Sequence, residues 1–279
     1  MEEAPAVVHF DDVSIRYGDT VALDHVSFKL HPGESRIIFG AAGSGKTILM
    51  KAAAGLVKPD SGRIFVFGQD ITHLKEGQLY EIRARIGFLF QEGGLFDSIN
   101  IADNVAYPLL NQPTLRHKFL ENGHDKSLHD RVKEALTFVE LGHTLEKYPS
   151  QVSGGMRRRV GIARALITEP ALMLYDSPTA GLDPITSNNI IAVILKERET
   201  RNTATLMVTH RYQDGHLMAK FRYNPDSENI EQVPPVAETG KHQRTRFYVM
   251  NQGRIVFKGS EEELQAAEDP YVRKFRRRS

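Results

Sequence analysis

The sequence predicts an α/β fold in which a mostly parallel sheet is covered by helices. Three observations support this prediction. Apolar strand-like runs alternate with helical patterns, a glycine-rich loop at residues 40–47 joins one such run to a helix, and another run, 171–175, is directly followed by Asp176. Such alternation is typical of parallel sheets whose crossover connections are helices. With 279 residues, 41% of them hydrophobic, the chain is long enough for one large domain with a subdomain inserted in it.

The first elements are short β-segments. The runs VVHF, VSIRY, HVSFKL and RIIF follow one another between residues 6 and 39, with turn signals at Tyr17–Asp19 and His31–Gly33. We expect an N-terminal antiparallel β-subdomain that leads into the first strand of the main sheet. A helical pattern then runs from Gly45 to Ala54 and ends at Gly55, where a C-terminal glycine belongs.

The middle of the chain changes character. A strand RIFVF, a short helix around residues 78–85 and a buried strand IGFLF at 86–90 are followed by helical patterns at 101–110 and 128–139. Because strand patterns are missing there, residues 93–155 are predicted to form an inserted helical subdomain.

Strands and helices alternate again in the last part of the chain. The predicted elements are a helix at 154–167, the strand at 171–175, a helix from Pro184, a strand at 205–208 and a strand pair around 251–253. Residues 1–279 are therefore expected to be one domain. The segment 221–246 is poor in apolar residues and contains prolines, so we expect a flexible surface insertion, or else a docking loop for a partner.

Composition disfavours several classes of function. Lys and Arg (36) nearly balance Asp and Glu (35), and the net charge of +1 gives no reason to expect nucleic-acid binding. The absence of cysteine excludes disulfides and thiolate metal sites. The N-terminus MEEAPAVVHF is unlike a secretory signal, and no run of about 18 uncharged apolar residues is present. We expect the chain to stay where it is made and to depend on another chain for any membrane role.

The glycine-rich loop matches the phosphate-binding motif G-x-x-x-x-G-K-[ST]. Its backbone N–H groups and the following helix N-terminus are expected to surround phosphate oxygens. Lys46 should contact the β- and γ-phosphates of a nucleotide, and the Thr47 hydroxyl should bind Mg²⁺. Asp176 is the expected second Mg²⁺ ligand, although an apolar strand ending in aspartate can also be purely structural. The motif consists of Gly40, Ala41, Ala42, Gly43, Ser44, Gly45, Lys46 and Thr47.

A third motif, Val152-Ser153-Gly154-Gly155-Met156, opens an arginine-rich helix. By itself Ser153 could be no more than a helix N-cap. Together with the phosphate loop and Asp176, however, the motif resembles the L-S-G-G-Q signature of ABC ATPases. The resemblance implies a P-loop NTPase core of the ABC type, with ATP and Mg²⁺ as cofactors. It also implies a head-to-tail dimer in which Ser153, Gly154 and Gly155 of one subunit close over the ATP held by the other.

The same resemblance implies roles for single residues, most of which also have a plainer alternative. Tyr17 matches the aromatic residue that stacks on adenine, or is a core tyrosine. Gln91 matches the glutamine that senses Mg²⁺ and the attacking water. His210 matches the histidine that contacts the γ-phosphate, or is a buried histidine. Asp183 matches an aspartate that communicates across the dimer, or forms a turn or helix cap.

One position departs from the family pattern. Asp176 matches the Walker B aspartate, the Mg²⁺-binding aspartate at the end of a core strand in this family. Family members carry a glutamate directly after it, whereas Ser177 follows Asp176 here. That glutamate is the general base or positions the attacking water, and a serine hydroxyl is too weak a base to replace it. Because losing a positioned general base typically removes about 10² to 10⁴ in rate, we expect intact ATP and Mg²⁺ binding with slow turnover, supported by His210 and partner contacts.

Residues 79–109, LYEIRARIGFLFQEGGLFDSINIADNVAYPL, resemble a narrower branch, the ATPase subunits of the Mla and Mce-associated lipid transport systems. The variants SGGM and GLDPI and the ending D-P-Y-V-R-K-F at 269–275 are also similar to that branch. The resemblance covers about residues 7–220 and 246–276. It implies a motor subunit for phospholipid or another lipid, bound peripherally at the cytoplasmic face of the inner membrane.

The implied partners are an integral-membrane permease, a second identical or paired ATPase subunit and, indirectly, a lipid-binding Mce-type component. Residues 93–108 are expected to receive a coupling helix of the permease. The alternative is that Leu95, Phe96, Val105 and Tyr107 build the core of the helical subdomain itself.

Two other functions stay open. One is an ATP-gated clamp that changes conformation on nucleotide binding and scarcely hydrolyses, for which Ser177 is the supporting feature. The other is a soluble ABC protein acting on ribosomes or DNA. A single ATPase cassette, the lack of a long heptad pattern and the lack of a basic surplus disfavour the latter.

Overall fold

The computed structural model of the protein describes residues 5–90, 93–121, 126–233 and 244–276. Its strands in chain order are β1 (Val8–Tyr17), β2 (Thr20–Leu30), β3 (Ser35–Gly40), β4 (Ser61–Val66), β5 (Gln69–Asp70), β6 (Ile86–Leu89), β7 (Leu172–Asp176), β8 (Ala204–Val208), β9 (Phe221–Asn224), β10 (Asn229–Gln232), β11 (Thr245–Asn251) and β12 (Arg254–Gly259). Its helices are α1 (Lys46–Ala53), α2 (Glu76–Arg83), α3 (Ile101–Asn111), α4 (Pro113–Arg116), α5 (Leu128–Phe138), α6 (Gly154–Leu166), α7 (Pro184–Arg201), α8 (Tyr212–Lys220) and α9 (Glu261–Ala266). Short turns of 3-10 or π-helix lie at His117–Glu121, Pro149–Gln151 and Val272–Phe275.

The central sheet has the strand order β12-β11-β3-β8-β7-β6. All neighbouring pairs are parallel except β11 and β12. Every residue of β3 and β8 is buried, because helices or the second sheet cover both faces. The parallel register brings Gly40, Asp176 and Val208 to one edge of the sheet. The predicted α/β architecture with a parallel sheet is therefore confirmed.

A second sheet, β2-β1-β4-β5, is antiparallel and contains the N-terminal segments. The sequence suggested two separate β-segments, VVHF and VSIRY, but they form the single strand β1. The interruption between them is a bulge, since Asp12 has φ 54° and the pairing register shifts between Phe10 and Val13. Aspartate tolerates this left-handed conformation better than most residues do.

Two hydrophobic cores lie on opposite faces of the central sheet. Alternate residues of β3 belong to different cores, Ile37 to the one shared with α3–α7 and Ile38 to the one shared with α1 and the antiparallel sheet. The elements described between β6 and β7 are helices, and α3, α5 and α6 begin at the side-chain caps Asn100, Ser127 and Ser153. In the part of the chain that is described, no helix combines the length and the apolar character needed to cross a bilayer.

The segment 221–246 contains regular structure at both ends. Strands β9 and β10 form a hairpin in which Asn224 pairs with Asn229, and β11 begins at Thr245. Residues 234–243 lie outside the described part of the chain. The helix α8 was not predicted from the sequence, because it is short and includes Gly215. Any side chain at position 215 would clash with Phe247, because a Cβ atom on Gly215 would lie 2.5 Å from Cε1 of that ring.

Candidate nucleotide site

The phosphate loop, residues 40–47, connects the end of β3 to α1. Gly45 is the N-cap of α1 with φ 100°, a conformation that favours glycine. The helix begins without a side-chain cap and without an acidic residue in its first turn. Its N-terminal amides and the positive end of its dipole are therefore available to an anion.

Neighbouring strands press closely on this loop. A Cβ atom on Gly45 would lie 2.3 Å from the Ala22 carbonyl oxygen of β2, and one on Gly40 would lie 2.6 Å from the Met250 carbonyl oxygen of β11. Side chains at either glycine would displace the loop. The close approach of Gly45 to Ala22 places the β1–β2 hairpin, with Tyr17 at its turn, beside the loop. Tyr17 is 52% exposed, so it is not a core residue.

Lys46 points into the loop and is 6% exposed. Its Nζ donates to the carbonyl oxygens of Gly40 (2.9 Å) and Ala41 (2.7 Å) and lies 3.3 Å from Ser44 Oγ. Burial lowers the pKa of the Lys46 ammonium, and the Asp176 carboxylate opposes this change. Since these hydrogen-bond acceptors are uncharged, a phosphate would be a stronger partner for the ammonium.

Three charged or titratable side chains meet beside the loop. His210 follows β8, Asp176 ends β7, and these strands are hydrogen-bonded neighbours. The pKa of His210 is lowered by burial first and then by the Lys46 charge, while Asp176 raises it. The register of β3, β7 and β8 places all three groups at the carboxyl ends of these neighbouring strands. Such an edge is where ligands bind in open α/β sheets.

Ser177 has a strained backbone and a buried side chain. It has φ 50° and is 5% exposed, and its N–H donates to the Val208 carbonyl oxygen at 2.9 Å. Its Oγ donates to Asp176 Oδ1 at 3.3 Å. The guanidinium of Arg158, on α6, donates to the carbonyl oxygens of Ser177 (3.0 Å) and Ala180 (2.9 Å). The serine side chain is therefore directed to the aspartate that precedes it.

A buried carboxylate connects the loops that follow β7 and β8. Asp214, on α8, is 1% exposed, and its Oδ2 accepts from the hydroxyls of Thr179 (2.5 Å) and Thr209 (2.6 Å). Arg211 Nε lies 3.8 Å from Asp214 Oδ1, and its guanidinium also donates to Ser187 Oγ. Burial raises the pKa of Asp214, and the two threonine hydroxyls oppose this rise. The network fixes the loop of His210 relative to the loop after Asp176.

The signature, residues 152–156, lies against the start of α7. Ser153 is the N-cap of α6 and accepts from the Met156 N–H at 3.2 Å. Gly155 packs so closely that a Cβ atom would lie 2.3 Å from Thr186 Cγ2. Asp183 caps α7 by accepting from the Thr186 N–H at 3.0 Å. Hydrogen bonding with the Thr186 side chain, and then with its N–H, lowers the pKa of Asp183. Both capping roles left open by the sequence are present, and they do not exclude contact with a nucleotide.

The predicted site residues thus fall into two groups within one chain. The phosphate loop, Asp176, Ser177 and His210 lie together, whereas the signature lies with Asp183. Gln91 is outside the described residues. Sequence reasoning missed Arg158 and Asp214, and also Tyr271, whose hydroxyl accepts from the Ala41 N–H at 3.1 Å. None belongs to a local pattern that indicates its contact, although Tyr271 lies in the D-P-Y-V-R-K-F ending.

Comparison with known proteins agrees with this geometry. The family model described as ABC transporter matches residues 23–180. The chain belongs to the ABC transporter family. Among solved ABC structures, the dimeric post-hydrolysis state of the ATP-binding cassette MJ0796 bound to ADP and Pi has a TM-score of 0.71 and 26% identity, covering 91% of this chain and 98% of that one. The cbiO1 structure from Clostridium perfringens has a TM-score of 0.74 and 24% identity, covering 95% and 92%. The predicted P-loop NTPase fold of the ABC type is confirmed.

This ABC chain also has named relatives of several kinds. It is 33% identical over 276 residues to the intermembrane phospholipid transport system ATP-binding protein MlaF of Escherichia coli, which covers 99% of this chain and 90% of MlaF. It is 38% identical over 210 residues to the methionine import ATP-binding protein MetN of Rhizobium etli, covering 75% and 56%. It is 36% identical over 194 residues to the probable ribonucleotide transport ATP-binding protein mkl of Mycobacterium tuberculosis, covering 70% and 52%. The chain spans about half the length of the latter two relatives. The resemblance to the phospholipid-transport branch is confirmed.

Proposed function

We propose that this chain is the ATP-binding motor subunit of an ABC transporter that moves phospholipid or another lipid. The observation that carries the proposal is the strand register, which brings Asp176 and the start of the His210 loop to the strand ends beside the phosphate loop. That loop leads into the uncapped N-terminus of α1, which begins at Lys46. The 33% identity to MlaF over 99% of the chain supports the choice of a lipid. The subunit would act at the cytoplasmic face of the inner membrane, attached through a permease.

The residues have distinct roles in this proposal. The phosphate-loop amides that follow Ala41 and the Lys46 ammonium hold the phosphates of ATP, while Tyr17 stacks on the adenine. Thr47, Asp176 and Gln91 offer the hard oxygen ligands that Mg²⁺ prefers. Bound Mg²⁺ would neutralise charge on the β- and γ-phosphates.

A second copy of the chain would complete the site. Its Ser153, Gly154 and Gly155 would cover the exposed side of the nucleotide, and its Asp183 would contact the facing loop. Because the signature and Asp183 share contacts with Thr186, closure over ATP would move them together.

We infer that hydrolysis is slow, because Ser177 stands where the family has a general base. Partial burial and the Lys46 charge keep the pKa of His210 below its usual value, which favours the neutral imidazole as a hydrogen-bond acceptor. Steady-state phosphate release by the assembled complex tests this inference. Ser177→Glu should raise the rate by up to about 10² to 10⁴-fold, whereas Ser177→Ala should leave it low. A rate that Ser177→Glu does not change would contradict it.

A second candidate function is an ATP-gated clamp that closes on nucleotide and scarcely hydrolyses. Ser177, directed to Asp176, is the observation that favours it. Single-turnover measurements separate the candidates, since a motor releases phosphate in each transport cycle and a clamp retains intact ATP.

An aromatic groove between β6 and the helices that follow it is the proposed docking site for the permease. The cavity volume is about 310 Å³. The rings of Phe88 and Phe90 are stacked at 4.2 Å, and those of Phe96 and Tyr107 lie 4.5 Å apart. Arg164 holds the adjacent loop by donating to the carbonyl oxygens at residues 93 (2.9 Å) and 94 (2.7 Å). Phe90, which lines the groove, directly precedes Gln91 in the sequence. A coupling helix bound in the groove would thus be able to influence the nucleotide site.

Exposure of the groove residues permits a direct test. Phe96 and Tyr107 are 42% and 40% exposed, so neither is simply a core residue of the helical subdomain. Tyr107→Ser should reduce co-purification of an integral-membrane partner while MgATP binding stays unchanged. Leu56→Ser, at a residue that is 50% exposed and outside the groove, is the matched control.

The experiment that tests the whole function is purification of the native complex from membranes. The proposal expects a permease and phospholipid or another lipid to be identified with the chain. Recovery without any integral-membrane protein, or with ribosomes or DNA in a salt-sensitive manner, would overturn it.

A further inference from the structure

The last described residues, 269–276, form a C-terminal brace that lies against the phosphate loop. Asp269 begins the brace, as its Oδ1 accepts from the N–H groups of Tyr271 (2.8 Å) and Val272 (3.0 Å). Arg276 ends it by donating from Nη1 to the carbonyl oxygens of Gln265 (2.6 Å) and Ala267 (3.3 Å). Val272, between them, is 1% exposed. Asp269 thus orders the first turn of the brace internally, while the buried Val272 and the Arg276 hydrogen bonds attach the brace to the rest of the protein.

One hydroxyl of the brace contacts the loop directly. Tyr271 OH accepts a hydrogen bond from the Ala41 N–H at 3.1 Å and donates one to the Met250 carbonyl oxygen at 3.0 Å. Met250 pairs with Gly40 in the sheet. The phenol therefore connects the start of the phosphate loop to the neighbouring strand β11.

Aromatic stacking between the brace and β3 supports the contact of Tyr271 with the phosphate loop. The Phe275 ring lies 6.2 Å from that of Phe39, with an angle of 10° between their planes. Phe39 directly precedes Gly40 on β3. The Tyr271 and Phe275 rings meet edge to face at 5.3 Å, which orients the phenol.

The contact also extends to the ammonium that would hold phosphate. Ala41 is exposed, and both of its backbone groups have side-chain partners. Its N–H is bound by Tyr271, while its carbonyl oxygen accepts from Lys46 Nζ at 2.7 Å. Fixing the Ala41 peptide therefore helps to fix Lys46.

We propose that Tyr271 is a positioning residue, through which the C-terminal brace holds the phosphate loop ready for nucleotide. This inference rests on the proposed nucleotide binding at residues 40–47. Because the docked brace fixes the Ala41 peptide and with it Lys46, docking favours nucleotide binding. Thermodynamic linkage then requires bound nucleotide to favour the docked brace by the same factor. A partner protein that separates the brace from the phosphate loop would lower the affinity for nucleotide. Bound nucleotide would lower the affinity for that partner by the same factor.

Tyr271→Phe removes the hydroxyl and keeps the ring. Calorimetric titration of the full-length protein with MgATP should show affinity reduced by about 2- to 10-fold, the effect of losing one hydrogen-bonded group. Tyr223→Phe, in the β9–β10 hairpin, is the matched control and should bind as wild type does. Equal affinities of all three proteins would overturn the inference.

Amide hydrogen exchange distinguishes a positioning role from a merely structural one, because only a positioning role makes exchange of the brace amides depend on MgATP. Saturating MgATP should slow exchange of the brace amides in the wild-type protein and should do so less in Tyr271→Phe. Brace exchange in wild type that is unaffected by MgATP would also overturn the inference, even if the variant folds poorly. Failure of wild type to bind MgATP would instead contradict the proposed function itself.

Discussion

Glu197 predicts a specific dependence of stability on pH. It lies on α7 and is 0% exposed. Burial raises its pKa from 4.5 to about 7, although Thr203, Arg201 and Arg198 oppose the rise. Together with burial, its charge raises the pKa of Tyr175, which precedes Asp176 on β7. The folded protein thus holds a proton on Glu197 at pH values where the unfolded chain has released it.

The sign and size of the effect follow from this difference. Below pH 4.5 the carboxyl is protonated in both states and contributes nothing to the pH dependence. As pH rises to about 7, only the unfolded state ionises, so the free energy of unfolding falls. At ~1.4 kcal/mol for each pH unit, the loss is about 3 kcal/mol and is complete above the folded-state pKa.

Urea denaturation of wild type and Glu197→Gln at pH 5 and pH 8 measures this loss. Between pH 5 and pH 8 the free energy of unfolding should fall further in wild type than in the variant, because the variant has no carboxyl to ionise. The difference should be most of the ~3 kcal/mol worked out above. Glu134→Gln, at a solvent-exposed residue of α5, is the control and should follow wild type. Parallel pH profiles for wild type and Glu197→Gln would refute the reasoning.

Three further predictions concern the site. Gly45→Ala should abolish MgATP binding in calorimetry while circular dichroism stays unchanged, because its Cβ would lie 2.3 Å from the Ala22 carbonyl oxygen; retained affinity would contradict this. Asp214→Ala should lower the free energy of unfolding by about 3 kcal/mol in urea denaturation, since two buried hydroxyls lose their acceptor; a change below ~0.5 kcal/mol would contradict the network. Gly155→Ala should weaken the proposed ATP-dependent dimer in sedimentation analysis by displacing the signature from Thr186; dimerisation equal to that of wild type would exclude this packing role.

Much of the fold was predictable because its signals are local. The phosphate loop, the apolar runs of β3, β7 and β8 and the helix that begins at Pro184 each follow from a short stretch of sequence. The bulge at Asp12 made one strand look like two, because two adjacent aspartates interrupt the apolar pattern. Helix α8 was missed since Gly215, required by packing against Phe247, weakens its helical signal.

The candidate site was predictable to the same extent. Residues 40–47, Asp176 and His210 stand in motifs, and the sheet edge brings them together. The contact of Tyr271 with Ala41 joins residues 230 positions apart, and that of Thr179 with Asp214 joins residues 35 apart. No local pattern indicates such pairs, because they arise only when separate strands and helices pack.

Calorimetric titration of the purified protein with MgATP tests the central claim most directly. Binding should occur at one site per chain, should disappear in Lys46→Ala and should persist in Lys51→Ala, which removes a lysine from the same helix. Absence of binding to wild type, or equal binding to wild type and Lys46→Ala, would contradict the assignment of residues 40–47 as the nucleotide site.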